Sequence, residues 1–335
     1  KVFGRGGLAK YLSNSTDAGN PPIVGLFHYA KASGTHQLLR MTLTKLEKLN
    51  TGTSVWDDTA GTAYTHTNLC RPQSAIIDDT LILTNEGTVQ PRKYTGSGAS
   101  ATLGGTPPYC KMLGAYKGFL FAGDISTDGS FSDITDGHRT LRYSDDWDVS
   151  WTPCGADASV TGDLILVQTP GKVLRLEQMG RESIAYKEDG GVQLVWTGGQ
   201  EMFRRDLIPS IVGLGAPLSL GNVFDSIHYY LGKDGLIYRV TQEGATQVSD
   251  EVLANTIHSS TVRGLGRYKY ARHLIDTEEG LYVLFYDRTG LTVQFLDSYV
   301  AINYISGEVT KGRLPSVIAA VAHRPTNDSR EVALV

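Results

Sequence analysis

The sequence predicts an all-β chain folded as a β-propeller of six or seven four-stranded blades, incomplete at the termini. Three observations point there. Hairpins written in strand-forming residues recur along the chain, each reversing on a short polar link that usually contains glycine. Their first strands begin near residues 36, 80, 119, 183, 227 and 281, spaced by 39 to 64 residues, and a propeller blade occupies roughly 40 to 50. In Leu281-Tyr282-Val283-Leu284-Phe285-Tyr286 both alternating sets of side chains are apolar or aromatic, so both faces of this strand need covering. Radially packed blades supply a neighbour on each side, whereas a sandwich leaves one face wet.

Taken in order, residues 1–21 read as an N-terminal arm or partial strand and 22–335 as the propeller. The first blade (22–58) holds the hairpin His36 to Leu43 and Lys45 to Leu49, and the second (72–104) runs from Thr80 to Leu83 through Asn85-Glu86-Gly87 to Val89 to Tyr94. The third (110–153) joins Phe119 to Ala122 with Thr140 to Ser144 across a long polar loop. In the fourth (162–207), Ser183 to Lys187 turns at 188–191 into Val192 to Trp196, and the last strand, Met202 to Asp206, is polar as an edge should be. The fifth (209–249) carries the clearest hairpin, in which Ile227 to Leu231 turns at Gly232-Lys233-Asp234-Gly235 into Leu236 to Val240. Asp-Gly there supplies the positive backbone angle a tight reversal demands. Asp250 to His258 reads as a connecting helix, with Val252, Leu253 and Ile257 on one face after a Ser249 or Asp250 cap. The sixth blade (268–306) pairs Leu281 to Tyr286 with Leu291 to Leu296, and a partial seventh (312–335) contains Ser316 to His323 and Arg330 to Val335. The chain opens on Lys1 and stops inside that last strand. An open propeller edge invites aggregation, so residues are expected to be missing at one or both ends.

Composition narrows the function. A net charge of −4 over 335 residues provides no global basic field for nucleic acid or anionic lipid. The longest apolar stretch, Val317 to Ala322, is far shorter than the roughly 20 residues of a membrane helix, so no membrane partner is expected. Cys70, Cys110 and Cys154 are odd in number, widely spaced and without a Cys-x-x-Cys, and read as buried reduced thiols. Asp124, Asp128, Asp133 and Asp136 crowd one loop but lack the spacing of a calcium loop, and the histidines form no His-x-His pair. Gly4-Arg5-Gly6-Gly7 and Gly213-Leu214-Gly215 lack the helix and lysine of a phosphate cradle and read as turns or packing. Neither a metal nor a cofactor is expected.

The sharpest local motif is Ser144-Asp145-Asp146-Trp147-Asp148-Val149-Ser150-Trp151. It resembles the Asp-box of sialidases and related propellers, Ser-x-Asp-x-Gly-x-Thr-Trp, with Asp148 in place of the glycine and Ser150 in place of the threonine. The resemblance assigns Ser144, Asp146 and Trp151 a structural turn between outer strands, the Asp146 carboxylate accepting backbone N–H groups while Trp151 packs below. A sialidase would also need a cluster of three arginines with a Tyr/Glu pair. Arg142, Arg175, Arg204 and Glu177 are present, but nothing around them marks them as convergent, so no catalytic residue and no enzyme activity is expected. Trp147, Trp151, Trp196, Tyr229 and Tyr230 have strand periodicity, which favours core or blade-interface packing over a sugar platform.

A wider likeness runs along the chain. Ala115-Tyr116-Lys117-Gly118-Phe119-Leu120-Phe121-Ala122-Gly123 and Leu141-Arg142-Tyr143-Ser144-Asp145, then Trp151-Thr152-Pro153, resemble the mid-chain signature of tailed-phage virion propeller proteins. Ile184 to Glu188 and Tyr229 to Val240 continue it in the same order, and Gly6-Gly7-Leu8, Pro22 to Phe27 and Thr44-Lys45-Leu46 are similar near the start. That family includes tail nozzle and hub proteins of the packaged-DNA stabilisation type. The resemblance implies a virion protein of the tail or neck, a homo-oligomeric ring, commonly a hexamer, attached below the portal and adaptor and beside other tail proteins. Genomic DNA would pass through its lumen without sequence-specific binding. A mildly acidic chain is compatible with such a conduit, since a strongly basic lumen would hold phosphate and slow ejection. The alternative is a carbohydrate-binding or sialidase-like propeller used in host attachment. A lectin would be expected to repeat its binding motif in every blade, and these blades differ from one another.

Overall fold

The computed structural model describes residues 22–334 apart from 54, 60, 62, 68–69, 86, 127–135, 153–160, 200, 251–254, 256, 258–266, 289–295, 318–319 and 327–328. The N-terminal arm expected at 1–21 and most of the helix expected at 250–258 lie outside the described residues. Blade one comprises β1 (Ile23–Ala30), β2 (His36–Thr42), β3 (Leu46–Asn50) and β4 (Val55–Asp58), and blade two β5 (Ser74–Ile77), β6 (Thr80–Leu83), β7 (Arg92–Tyr94) and β8 (Ala101–Thr102). Blade three is β9 (Cys110–Tyr116), β10 (Phe119–Ile125), β11 (Thr140–Ser144) and β12 (Thr161–Ile165); blade four is β13 (Val173–Met179), β14 (Glu182–Lys187), β15 (Gly190–Trp196) and β16 (Phe203–Leu207). Blade five is β17 (Gly221–Val223), β18 (Ile227–Leu231), β19 (Ile237–Thr241) and β20 (Gly244–Gln247); blade six is β21 (Arg272–Asp276), β22 (Leu281–Tyr286), β23 (Leu296–Asn303) and β24 (Val309–Val317). Each is an antiparallel sheet whose strands lie side by side in chain order. First strands of neighbouring blades pack against one another, as β5 does with β9, β9 with β13 and β17 with β21, so these strands line the axis of a six-bladed β-propeller.

The faces of the strands explain the arrangement. All six residues of β22 are buried. Its even members, Tyr282, Leu284 and Tyr286, join Tyr229, Leu231 and Ile237 of blade five. Its odd members, Leu281, Val283 and Phe285, join Leu274, Leu296 and Ala301 on the other face. The same division recurs around the circle, with clusters between blades one and two, two and three, three and four, and four and five. The last hydrophobic face of blade six is met by a two-stranded hairpin, β25 (Ala320–Thr326) and β26 (Ser329–Leu334). Strand β25 contacts β21 on one side and β1 and β2 on the other. It therefore stands between the last blade and the first.

Local chemistry sets the turns. In the hairpin of blade five, Gly235 adopts φ 88°, the Asp234 carboxylate accepts the Leu236 N–H at 3.0 Å and the Tyr238 hydroxyl at 2.6 Å, and Leu231 pairs with Ile237. Gly213 answers to packing, since a Cβ there would lie 1.8 Å from the Glu188 carbonyl oxygen.

Four expected boundaries are corrected. Strand β12 pairs with β11 as the outermost strand of blade three, so that blade extends past 153 and residues 162–165 do not open blade four. Strand β7 starts at Arg92 rather than Val89, because Pro91 has no N–H to give the ladder. The partner of β22 is β23, with Tyr286 opposite Ser298 and Leu281 opposite Asn303, so of the expected strand Leu291 to Leu296 only Leu296 takes part among the described residues. Ser316 and Val317 close blade six as the end of β24, and the partial seventh unit starts at Ala320.

The blade three to blade four interface centres on Phe203, fully buried with its ring 5.1–6.0 Å from those of Tyr116, Phe119, Phe121 and Tyr143. Phe203→Ala is expected to cost about 3–5 kcal/mol through lost transfer energy and the remaining cavity. Phe224→Ala, at a ring that is 71% exposed, should stay within about 0.5 kcal/mol. Chemical-denaturation midpoints of the two variants check both values.

Candidate functional site

The Asp-box-like segment forms the turn between β11 and β12, the two outer strands of blade three. The Ser144 hydroxyl donates to the Ser150 carbonyl at 2.6 Å, and Trp151 is buried between blades two and three with its indole N–H on the Trp147 carbonyl at 2.7 Å. Asp146 acts differently from the expected pattern. Its backbone carbonyl, rather than its carboxylate, accepts the N–H groups of Val149 and Ser150, both at 2.9 Å. The carboxylate that ties the turn down belongs to Asp148, which accepts the Gly104 N–H at 2.8 Å and pairs with Lys93 of blade two. A carboxylate at the glycine position thus fastens one blade's outer turn to the next blade.

The arginines are kept apart. Arg142 of β11 makes a two-pronged pair with Asp163 of β12 at 2.7 and 2.8 Å, Arg175 faces Glu177 along β13 at 3.3 Å, and Arg204 faces Asp206 along β16 at 2.8 Å. Each guanidinium is held by an acid on its own blade. In the aspartate-rich loop, Asp124 sits 2.5 Å from His138 and 3.6 Å from Lys172, and Asp136 pairs with Arg139, while Asp128 and Asp133 lie outside the described residues. Among the described residues no three His, Cys, Asp or Glu side chains gather as a metal site would require. Of the aromatic candidates, Trp151, Tyr229 and Tyr230 are buried, Trp147 packs against the cluster between blades two and three, and Trp196 is 47% exposed beside the Lys117 amine.

Sequence reasoning passed over the axis. Gln73, at the entry to β5, donates to the Leu174 carbonyl at 2.9 Å and accepts from Arg175 at 3.4 Å, so blade two reaches past blade three to blade four. Asn222 of blade five donates to the other end of that chain, the Glu177 carboxylate, at 3.3 Å. On the opposite side, buried Arg272 of β21 donates to the Val24 carbonyl of β1 at 2.7 Å, beside Arg71, whose guanidinium stacks on Tyr270 at 4.3 Å. Burial pulls both arginines below their ordinary values, Arg272 to about 9. Thr67, Cys70, Arg71, Thr84, Thr88 and Lys111 help line a cavity of about 420 Å³ at this place. On its wall the Cys70 sulfur lies 3.0 Å from His66 Nδ1. No local signal announces these contacts, since the Gln73–Arg175 partners are 102 residues apart.

Two further buried groups are structural. Lys187, fully buried at the end of β14, donates to the carbonyls of Leu166 and Thr169, stapling the crossover from blade three, and burial pulls its amine down to about 8. His228 accepts the Tyr186 hydroxyl and donates to the Gln178 carbonyl, both at 2.8 Å, and burial lowers its pKa.

No family model matches the chain, and no curated protein does. Solved structures share its fold at low identity. PorZ, a bacterial surface component of the type-IX secretion system of Porphyromonas gingivalis, is 10% identical with a TM-score of 0.48, over 94% of this chain and 35% of that one. The extracellular domain of a hybrid two component system of B. thetaiotaomicron is 8% identical with a TM-score of 0.56, over 97% of this chain and 38% of that one. The Neurospora crassa Pan2 WD40 domain is 10% identical with a TM-score of 0.52, over 93% of this chain and 86% of that one. This chain therefore spans little more than a third of the first two, and at such identity the likeness concerns the fold alone.

Acid should unfold this arrangement through its neutral histidines. His273 donates to the Leu218 carbonyl at 2.8 Å, and burial holds it at about 4 against an ordinary 6.5. Between those two pH values the unfolded chain binds the proton and the folded chain does not, so stability falls as pH drops through the window. Melting temperatures measured from neutral pH to pH 4 should fall, and His273→Asn should flatten that fall; an unchanged slope in the variant would contradict the assignment.

Proposed function

We propose that the chain is a non-enzymatic structural propeller of a tailed-phage particle, a nozzle or hub subunit of the tail or neck that helps retain and deliver the packaged genome. The observation that carries this reading is the order of the similar segments along blades one, three, four and five. Pro22 to Phe27 falls at the start of β1, Ala115 to Gly123 on β9 and β10, Leu141 to Asp145 on β11, Ile184 to Glu188 on β14 and Tyr229 to Val240 on β18 and β19. A likeness that follows inner and middle strands in sequence order reflects how blades are built as well as how turns are spelled. The separate pairing of Arg142, Arg175 and Arg204 on their own blades also favours a scaffold over a sialidase-like centre.

The bridged axis sharpens the proposal. A passage crossed by Gln73 and Arg175 at hydrogen-bond distance leaves no room for a DNA duplex, so the conduit would be the lumen of a ring of copies rather than the channel of one propeller. In that reading the ring meets the portal, the adaptor and neighbouring tail proteins at its ends, and DNA slides past its walls without base contacts.

Mass measurement under native conditions tests this. A closed ring of about six copies is expected, because head-to-tail contacts that close generate cyclic oligomers. A monomer that binds glycans in an array would overturn the proposal in favour of host attachment.

A further inference from the structure

We propose that Cys70 and His66 form a thiolate–imidazolium couple opening into the cationic cavity at the propeller axis, a modification site for small, negatively charged electrophiles. Three observations converge. The Cys70 sulfur and His66 Nδ1 are 3.0 Å apart, both side chains largely buried, held by a turn in which the Cys70 N–H bonds the Thr67 carbonyl at 3.0 Å and the His66 N–H bonds the Leu43 carbonyl at 2.9 Å. Stacking on Tyr64 at 5.4 Å, itself under the Arg92 guanidinium at 4.5 Å, fixes the imidazole plane. A ring so placed is positioned to take the thiol proton.

The electrostatic setting points the same way. Arg272 is buried and Arg71 half-buried, close enough to each other and to Cys70 for their charges to interact. Holding two like charges partly out of water is costly, and a negative sulfur beside them offsets part of that cost. Burial alone would push the thiol the other way, as it does for Cys110, which is driven up by desolvation and by Asp124.

The cavity supplies access and selection. Cys70 lines a space of about 420 Å³ together with Arg71 and Lys111, whose positive charges face an anion there; Thr67, Thr84 and Thr88 also line it, with the Thr84 and Thr88 hydroxyls donating to the Gln73 and Asn85 carbonyls at 3.4 Å. Asp124 also lines it, but that carboxylate faces His138 at 2.5 Å and Lys172 at 3.6 Å. The reaction is a displacement. The proton leaves Sγ for His66 Nδ1, the sulfur lone pair forms a bond to the electrophilic atom, and the leaving group departs with the electron pair of the bond that breaks.

Iodoacetate and iodoacetamide, alike in size and different in charge, are the probes, with peptide mapping to separate Cys70 from Cys110 and Cys154. In the native chain Cys70 is expected to be alkylated, with iodide released, at a rate that persists below the ordinary thiol range near pH 8.5. Iodoacetate should match or exceed iodoacetamide, the reverse of the order shown by the same cysteine in the urea-unfolded chain. Lys111→Met, at an exposed side chain whose loss spares the core, should lower the iodoacetate to iodoacetamide ratio about fivefold, the size of one partly screened charge interaction. His66→Asn should move the pH profile up towards that of a free thiol. Failure of Cys70 to react before unfolding, or a native charge preference and pH profile equal to those of the unfolded chain, would overturn the proposal.

Discussion

Burial on both faces of every blade is the constraint from which the rest of this structure follows. A strand such as β22, with six buried residues in succession, cannot exist at a surface. Its two side-chain sets need two neighbours, and a chain of sheets each needing two neighbours has to close on itself. The six clusters make this concrete, because five lie between consecutive blades and the sixth covers the face of blade six that turns towards β25. The hairpin β25–β26 therefore stands where the circle would otherwise leave two apolar faces open. The outer strands face fewer demands and tolerate exposed charged pairs, such as Arg204 with Asp206 on β16.

Closure brings polar groups to the axis, where they must satisfy one another. Backbone carbonyls of first strands and their entry segments are met by side chains from other blades: Leu174 by Gln73, Val24 by Arg272, Leu218 by His273. The Gln73–Leu174 and Arg272–Val24 bonds link blades that the hydrophobic clusters do not, so the axis adds cross-ties to a ring held by its interfaces. It also concentrates guanidinium groups in a chain whose net charge is −4. The combination of bridged passage, cationic cavity and paired thiol is a product of the fold, and it separates what one subunit's axis can do from what a ring of subunits can enclose.

Much of the fold was legible because its determinants are local. Asp234-Gly235 fixes a turn, the double-faced apolar run 281–286 demands neighbours on both sides, and the charged 204–206 segment marks an edge. Misplaced boundaries arose where composition and pairing diverge. Asp287-Arg288-Thr289-Gly290 has the composition of a tight turn, yet the register of blade six is set further on by Val300, Ala301 and Ile302, whose buried side chains complete the faces of β22. The Asp-box-like segment lies between β11 and β12, and the carboxylate that anchors it comes from the position where the pattern departs, Asp148. The axis was illegible for a different reason: Gln73, Arg175, Arg272 and Val24 meet only after the circle closes, and His66 with Cys70 is an unremarkable loop spacing until a turn folds one onto the other.

Hydrogen exchange followed by mass spectrometry tests the closed circle most directly. If every blade depends on two neighbours, amides of β1, β2, β21 and β22 should exchange only with the global opening that also releases β10 and β14, since the hairpin seals the join between first and last blades. Faster, independent exchange of blades one and six, with blades two to five still protected, would show an open arc and contradict the account.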